Sequence, residues 1–212
     1  MSIHRPFQLS CSCGREYKVK LWDSINVTEN KELKAKLLSG EVNQVQCPQC
    51  KKKSYIEKNL LYHDSDKKLW FHMLPQTDRP KWAELEEEYR KDLKDNDHIK
   101  KYHFRLVFGR EELLEKIRIF DVNLNDRLIE IIKLKIINED ESLKTLTDLK
   151  LFFSRHMPED EEMHFSLSST EKGLNQTLVV ASHHYEDLKE AKATEPISSG
   201  MYVSIHKTRV LH

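Results

Sequence analysis

Apolar and polar residues alternate in short runs at both ends of the chain, and a helical spacing replaces this alternation in the middle. From Ile3 to Leu9 and from Glu16 to Leu21, the residues Phe7, Leu9, Tyr17, Val19 and Leu21 alternate with polar neighbours, the period-two signature of two strands. Thr28 or Asn30 then caps a short helix whose Leu33, Leu37 and Leu38 share a face, with Gly40 as its stop. Strands are predicted again at Val42–Gln46 and Ser54–Lys58. Leu60–His63 and Leu69–Leu74 form a hairpin closed by Asp64-Ser65-Asp66-Lys67, because Asp and Ser bond their own turn backbone.

After Pro75 and Pro80 the spacing changes. Residues 81–100 read as a highly charged helix with Trp82, Leu85, Tyr89 and Leu93 as its apolar stripe. A strand at His103–Phe108 is turned by Gly109, and Leu113, Leu114 and Ile117 mark a helix over 110–120. The apolar run Leu128–Ile137 fits helix or strand by period alone, and Asp126 and Glu130 in its first turn favour helix. The last third alternates once more in LKLFFSRHM, EMHFSLSS, QTLVVASHH and MYVSIHK, with a turn at Thr170–Asn175 and a helix from Tyr185 to Ala193. No repeat of fixed period is present, which removes solenoids and propellers.

Composition narrows the function classes. Lys plus Arg and Asp plus Glu both total 35, so no global charge draws the chain to nucleic acid or anionic lipid. Residues 1–75 hold thirteen basic and eight acidic side chains, leaving twenty-two and twenty-seven for the remainder. The front is mildly basic and the back mildly acidic. The N-terminal stretch MSIHRPFQLSCSCG has no apolar core of a secretory leader, and no apolar run approaches membrane-spanning length, so the cytoplasm is the expected compartment. There thiols stay reduced, and four cysteines in two close pairs read better as metal ligands than as disulfides.

Cys11, Cys13, Cys47 and Cys50 lie on two turns that each offer two thiolates, the donor set of a closed tetrahedral zinc site. A site with four protein ligands has no open position for water, so the ion is expected to be structural. Pro48 directs the second turn, and Gly14 permits the tight bend that the one-residue spacing of the first requires. Lys51, Lys52 and Lys53 would offset the formal charge of minus two. Spacing alone does not separate zinc from iron, and the bland alternatives are buried small hydrophobes or a redox pair.

These residues resemble a known family. The CxCG near the start, the stretch LLSGEVNQVQCPQC, LLYHD shortly after it, and FRLVFGREELLEKIRIFDVNLNDRLIEIIKLKI are together similar to the CpXC domain, a family of bacteria and archaea whose function is uncharacterised. The resemblance covers roughly the first two thirds of the chain. It implies metal-ligand roles for the same four cysteines and a structural role for Asn43, bracing the second turn. Related zinc turns often place glycine after the last cysteine, where this chain has Lys51.

The expected fold is α+β. A zinc-ribbon-like antiparallel sheet module (1–75), a charged helix (81–100) and a strand with two helices (102–137) make a CpXC-type domain over 1–137, and a smaller antiparallel α+β module follows over 138–212. Further candidates are each set against a bland reading. His63 beside Asp64 offers acid and base chemistry but also suits an ordinary hairpin turn. His183 and His184 near a strand end would point to opposite faces and not chelate one ion. His156, His164 and His206 sit in separate strands. Arg5, Phe7, Tyr17, Lys18, Lys20, Lys51 to Lys53 and Tyr55 would suit single-stranded nucleic acid if they shared a surface. No Walker loop, Gly-x-Gly-x-x-Gly or Gly-x-Ser-x-Gly occurs. The leading expectation is a noncatalytic, zinc-stabilised interaction protein whose partner is another protein. A single-stranded nucleic-acid binder is the alternative, and an enzyme of dispersed His and Asp residues the third.

Overall fold

The computed structural model of the protein describes residues 1–209, so positions 210–212 of the expected C-terminal module lie outside the described residues. The chain divides into two compact units, Met1–Arg110 and Glu111–His212. Both mix helices and strands, the expected α+β class.

In the first unit, β1 (Ile3–Ser10) and β2 (Glu16–Asn26) form the antiparallel pair flanking the first cysteine turn. The helix α1 (Lys31–Leu38) buries Leu33 and Leu37 of the expected stripe. Two three-residue strands, β3 (Gln44–Gln46) and β4 (Lys53–Tyr55), form a separate antiparallel ribbon around the second cysteine turn. The hairpin of β5 (Leu60–Asp64) and β6 (Leu69–Leu74) is closed as its sequence requires: Asp64 Oδ1 accepts the amides of Asp66 (3.1 Å) and Lys67 (3.0 Å). The charged helix α2 (Trp82–Leu93) leads to β7 (His103–Phe108).

The main sheet has the order β1-β2-β5-β6-β7 and is mixed. The antiparallel sheet expected from hairpin signals is corrected at two joints, since β2 pairs with β5 and β6 with β7 in parallel. Each joint needs a crossover. The first is made by α1 and the β3–β4 ribbon, and the second by α2. Leu21, Ile25, Leu60, Tyr62, Leu69, Phe71 and Met73 are buried from successive strands, at odd positions in β2 and β6 and even ones in β5. Leu61, His63 and Trp70 occupy the half-buried opposite face.

In the second unit, α3 (Arg110–Asp121) and α4 (Asp126–Glu139) are joined by a loop in which Asn125 caps α4 by accepting the Arg127 amide at 3.0 Å. The short α5 (Glu141–Lys144) follows, then β8 (Lys150–Met157), β9 (Glu162–Ser169) and β10 (Leu174–Ala181), an antiparallel sheet of order β10-β9-β8. Ile129 and Ile132 of α4 share a core with Leu151, Phe153, Met163, Phe165 and Leu167 of the sheet. Ile119 and Leu124 join the same core, and residues 111–137 fall in the compact unit that holds the C-terminal strands.

Two strand expectations are corrected. QTLVVASHH ends as a strand at Ala181, and α6 (His183–Glu190) begins immediately, with the Ser182 carbonyl accepting the amides of Tyr185 (3.0 Å) and Glu186 (3.3 Å). MYVSIHK makes no strand. The Ile205 amide is taken by Glu130 Oε2 (2.9 Å) and the Lys207 amide by the Ser204 carbonyl (3.2 Å), after which α7 (His206–Arg209) forms.

Candidate metal centre

The four cysteines come together at the tip of β1–β2 and the turn of the β3–β4 ribbon, with the ligand sulfurs all within 4.8 Å of one another. Cys11 Sγ lies 3.5 Å from Cys50 Sγ, and Cys13 Sγ 3.7 Å from Cys47 Sγ. Metal–sulfur bonds of ~2.3 Å in a tetrahedron give edges of about 3.8 Å, whereas a disulfide needs about 2.05 Å. The spacing is that of sulfurs around an ion, and both of these edges join one turn to the other.

Local backbone makes the bite possible. In the first turn Gly14, at φ 84°, donates its amide to the Cys11 carbonyl (2.9 Å), and the Cys11 amide bonds the Arg15 carbonyl (2.8 Å). This is the bend that the Cys-x-Cys spacing demands. In the second, Lys51 donates to the Cys47 carbonyl and Cys47 to the Lys52 carbonyl, both at 3.0 Å. Lys51 holds φ 60°, the left-handed conformation that glycine supplies in related turns. Its ammonium reaches the Pro48 carbonyl (2.9 Å), and that of Lys52 reaches Ser12 Oγ (3.4 Å) across the two turns.

Amides aimed at sulfur tune the thiols. The Cys13 amide, then the Cys50 thiol, bring the Cys11 pKa down to about 6. The Cys50 amide is the largest cause of a lowered Cys47. Cys50 accepts the Lys52 amide, which lowers it, but the adjacent Cys11 sulfur and burial outweigh this and push it up to about 11. The group is thus prepared for negative charge at some sulfurs, while their mutual repulsion blocks full ionisation unless a cation sits among them. The donors fit a tetrahedral metal ion of the thiophilic class.

Asn43 braces the approach to this turn and not the turn itself. At φ 56° and 3% exposed, it accepts the Trp22 amide (2.7 Å) and donates to the Trp22 carbonyl (3.1 Å), fastening the ribbon to β2.

Comparison with known families matches residues 9–133, more than half of the chain, to the CpXC protein family. The chain belongs to the CpXC family. Searches of curated proteins and of solved structures found no match to it. The CpXC segment includes all four cysteines and ends within α4, so it covers the first unit from residue 9 onward together with α3 and part of α4.

The other candidates fare differently. His63 and Asp64 fall on opposite faces of β5: Asp64 is buried in its turn, while the His63 ring packs 5.0 Å from Trp70 and 5.3 Å from Tyr102. Burial, with the N-terminal ammonium, lowers the His63 pKa. The later histidines keep separate partners. His156 meets Ser182 Oγ at 3.3 Å, His164 meets Glu162 at 2.9 Å, and His206 lies 4.0 Å from Glu112. The basic and aromatic set is divided too. Arg5 pairs with Asp23 (3.0 Å) and Lys58 stacks on Phe7, on the face of β1–β2 opposite Lys18 and Lys20, while Tyr55 receives Arg110.

One constellation was missed by the sequence reading. Glu115, Lys116, Asp126, Glu130 and Lys133 are all at most 1% exposed. Lys133 Nζ lies 3.0 Å from both Glu115 oxygens and from Glu130 Oε1, which Lys116 also reaches at 2.9 Å. Asp126 lies 3.3 Å from Lys116. The carboxylates also accept backbone amides, Phe153 to Glu115 (2.6 Å) and Ile205 to Glu130 (2.9 Å). The available signal was the matching of two stripes, Glu112/Glu115/Lys116 on one helix and Asp126/Glu130/Lys133 on the next, each at helical spacing.

Proposed function

We propose that the CpXC segment binds one structural Zn²⁺ through Cys11, Cys13, Cys47 and Cys50, and that the protein acts without catalysis, as a zinc-braced partner of another protein in the cytoplasm. The observation that carries this reading is the tetrahedral sulfur spacing, 3.5 and 3.7 Å across the two turns, in which every ligand position is filled by protein. Zinc is preferred to iron because a redox-inert ion suits a site whose work is to hold short strands together. The β3–β4 ribbon has three residues per strand and little apolar surface of its own, so metal binding supplies what a core would elsewhere. A protein partner is favoured by Trp22, packed at 5.0 Å on His4, and the His63–Trp70–Tyr102 cluster, half-buried aromatics of the kind that anchor interfaces.

The test is elemental analysis of purified protein beside Cys50→Ser, followed by native co-purification with wild type and Trp70→Ala. One zinc per chain, lost in Cys50→Ser, and a stoichiometric protein partner released by Trp70→Ala at unchanged metal content are expected. All three tryptophans lie in the first unit, so the same Cys50→Ser sample should show solvent-exposed tryptophan emission. Iron in place of zinc would overturn the metal assignment. Salt-sensitive retention of a single-stranded oligonucleotide would make nucleic acid the partner, and reproducible substrate turnover would end the noncatalytic reading.

A further inference from the structure

In a strand, His183 and His184 would point apart; in the first turn of α6 they meet, with ring centroids 4.1 Å apart. Asp187 follows His183 by four residues and His184 by three, the two spacings that share a helix face. One ligand atom from each of the three side chains lies within 4.8 Å of the other two, and all three are exposed. We propose that His183, His184 and Asp187 form a second metal site, open to solvent, for a divalent late-transition cation such as Zn²⁺, Ni²⁺ or Cu²⁺.

The donor set decides the class of ion. Two imidazoles and one carboxylate favour late first-row cations over Mg²⁺ and Ca²⁺, which take oxygen ligands, and the absence of sulfur disfavours Cu⁺. Ligand bonds of ~2.0–2.2 Å in a tetrahedron place donor atoms about 3.4 Å apart, so the site closes by a shift of about 1.4 Å or less between any two donors. Exposed side chains make such shifts by small rotations.

The main opposing force is the helix dipole, because the first turn of α6 presents amides to the cation. Near an exposed helix end this effect is about 0.3–1 kcal/mol, less than a factor of ten in affinity, and the Asp187 carboxylate opposes it. Three protein ligands leave coordination positions that exchange with solvent, unlike the closed sulfur centre. His184 also forms part of the wall of a cleft of about 440 Å³ whose lining is mixed, with Leu143, Leu178 and Val180 beside Lys135, Glu139 and Asp140. An ion here would carry displaceable water at the edge of that cleft.

Full-length protein freed of loosely held ion, its residual metal counted by elemental analysis, would be titrated calorimetrically with ZnCl₂ and, separately, NiCl₂. Each ion should bind one equivalent beyond the residual content. His184→Ala and Asp187→Asn should each weaken this step tenfold or more, the double variant His183→Ala/His184→Ala should abolish it, and His156→Ala should leave it unchanged. Circular dichroism identical to wild type in these surface variants separates lost ligation from lost folding. No additional equivalent at millimolar ion, or an equivalent that survives in the double variant, would overturn the proposal.

Discussion

Replacing Lys133 by methionine keeps the aliphatic stem and removes one ammonium from the buried cluster. The wild-type group has three carboxylates (Glu115, Asp126, Glu130) against two ammoniums (Lys116, Lys133), so the variant leaves three against one. Glu115 is affected most, because Lys133 touches both of its oxygens at 3.0 Å and is the cation that most favours its charged form. Breaking a buried pair from one side costs about 3–5 kcal/mol, a large part of the roughly 5–15 kcal/mol that holds a domain folded. The loss should depend on pH. Burial, partly countered by Lys133, raises Glu115 from 4.5 to about 7 in the wild type. Between these values the folded chain holds a proton that the unfolded chain has released. Its contribution is thus complete below pH 4.5 and fades as pH rises through 7. Without Lys133 the proton is held to still higher pH, and the deficit of the variant should be larger near pH ~8 than near pH ~5. Urea unfolding followed by far-UV circular dichroism, which weights α3 and α4, measures both. Adding Glu115→Gln should recover much of the loss, since the amide stays neutral and still accepts from the Phe153 amide. A loss below about 1 kcal/mol at the higher pH, or no recovery in the double variant, would refute the reasoning.

Three further outcomes follow from local geometry. Lys51→Gly should tighten metal binding several-fold in competition with a chromophoric chelator, because a left-handed non-glycine residue is strained by about 1–2 kcal/mol, offset in part by glycine's unfolded-state entropy; weaker binding would contradict this. Asn43→Ala leaves the Trp22 amide and carbonyl without their partner and should destabilise the first unit by about 2 kcal/mol or more in urea, read by tryptophan fluorescence. Asp148 is held well below the usual carboxylate range by the hydroxyls of Ser169 and Thr170 and by the amides of Thr170 and Glu171, so its contribution is present above pH ~4 and lost as pH falls. Asp148→Asn should flatten the acid limb of the stability profile of the second unit, and an unchanged acid limb would count against that assignment.

The strands around the cysteines were legible because each has a covered face and ends in a turn whose chemistry is local. Cys-Pro-x-Cys and the Asp64 turn need no distant partner to be recognised. Parallel pairing of β2 with β5 was not legible, since alternation gives the covered face of a strand but not its neighbour. The buried charges of α3 and α4 were not legible, because charge usually marks water. Here two complementary stripes neutralise each other between helices, and only the distance between the helices reveals it. His183 and His184 follow a genuine strand, and the carbonyl of Ser182 decides that the chain turns into a helix there. MYVSIHK alternates in the same way, but a side chain, Glu130, takes the Ile205 amide that a ladder would have used.

The crossover between β2 and β5 has a kinetic consequence. The cysteines that meet, one pair before β2 and the other within the crossover, are 34 and 39 residues apart, and closing a flexible loop of that length costs about 3 kcal/mol of chain entropy before any strand contact compensates for it. A metal ion that gathers the two turns early meets this cost in one step. β5 is then delivered beside β2 as a short-range event. An ion held by the four cysteines would thereby act as a folding nucleus for a parallel strand pair it does not touch, and a metal-free chain should refold slowly even where its final sheet is the same.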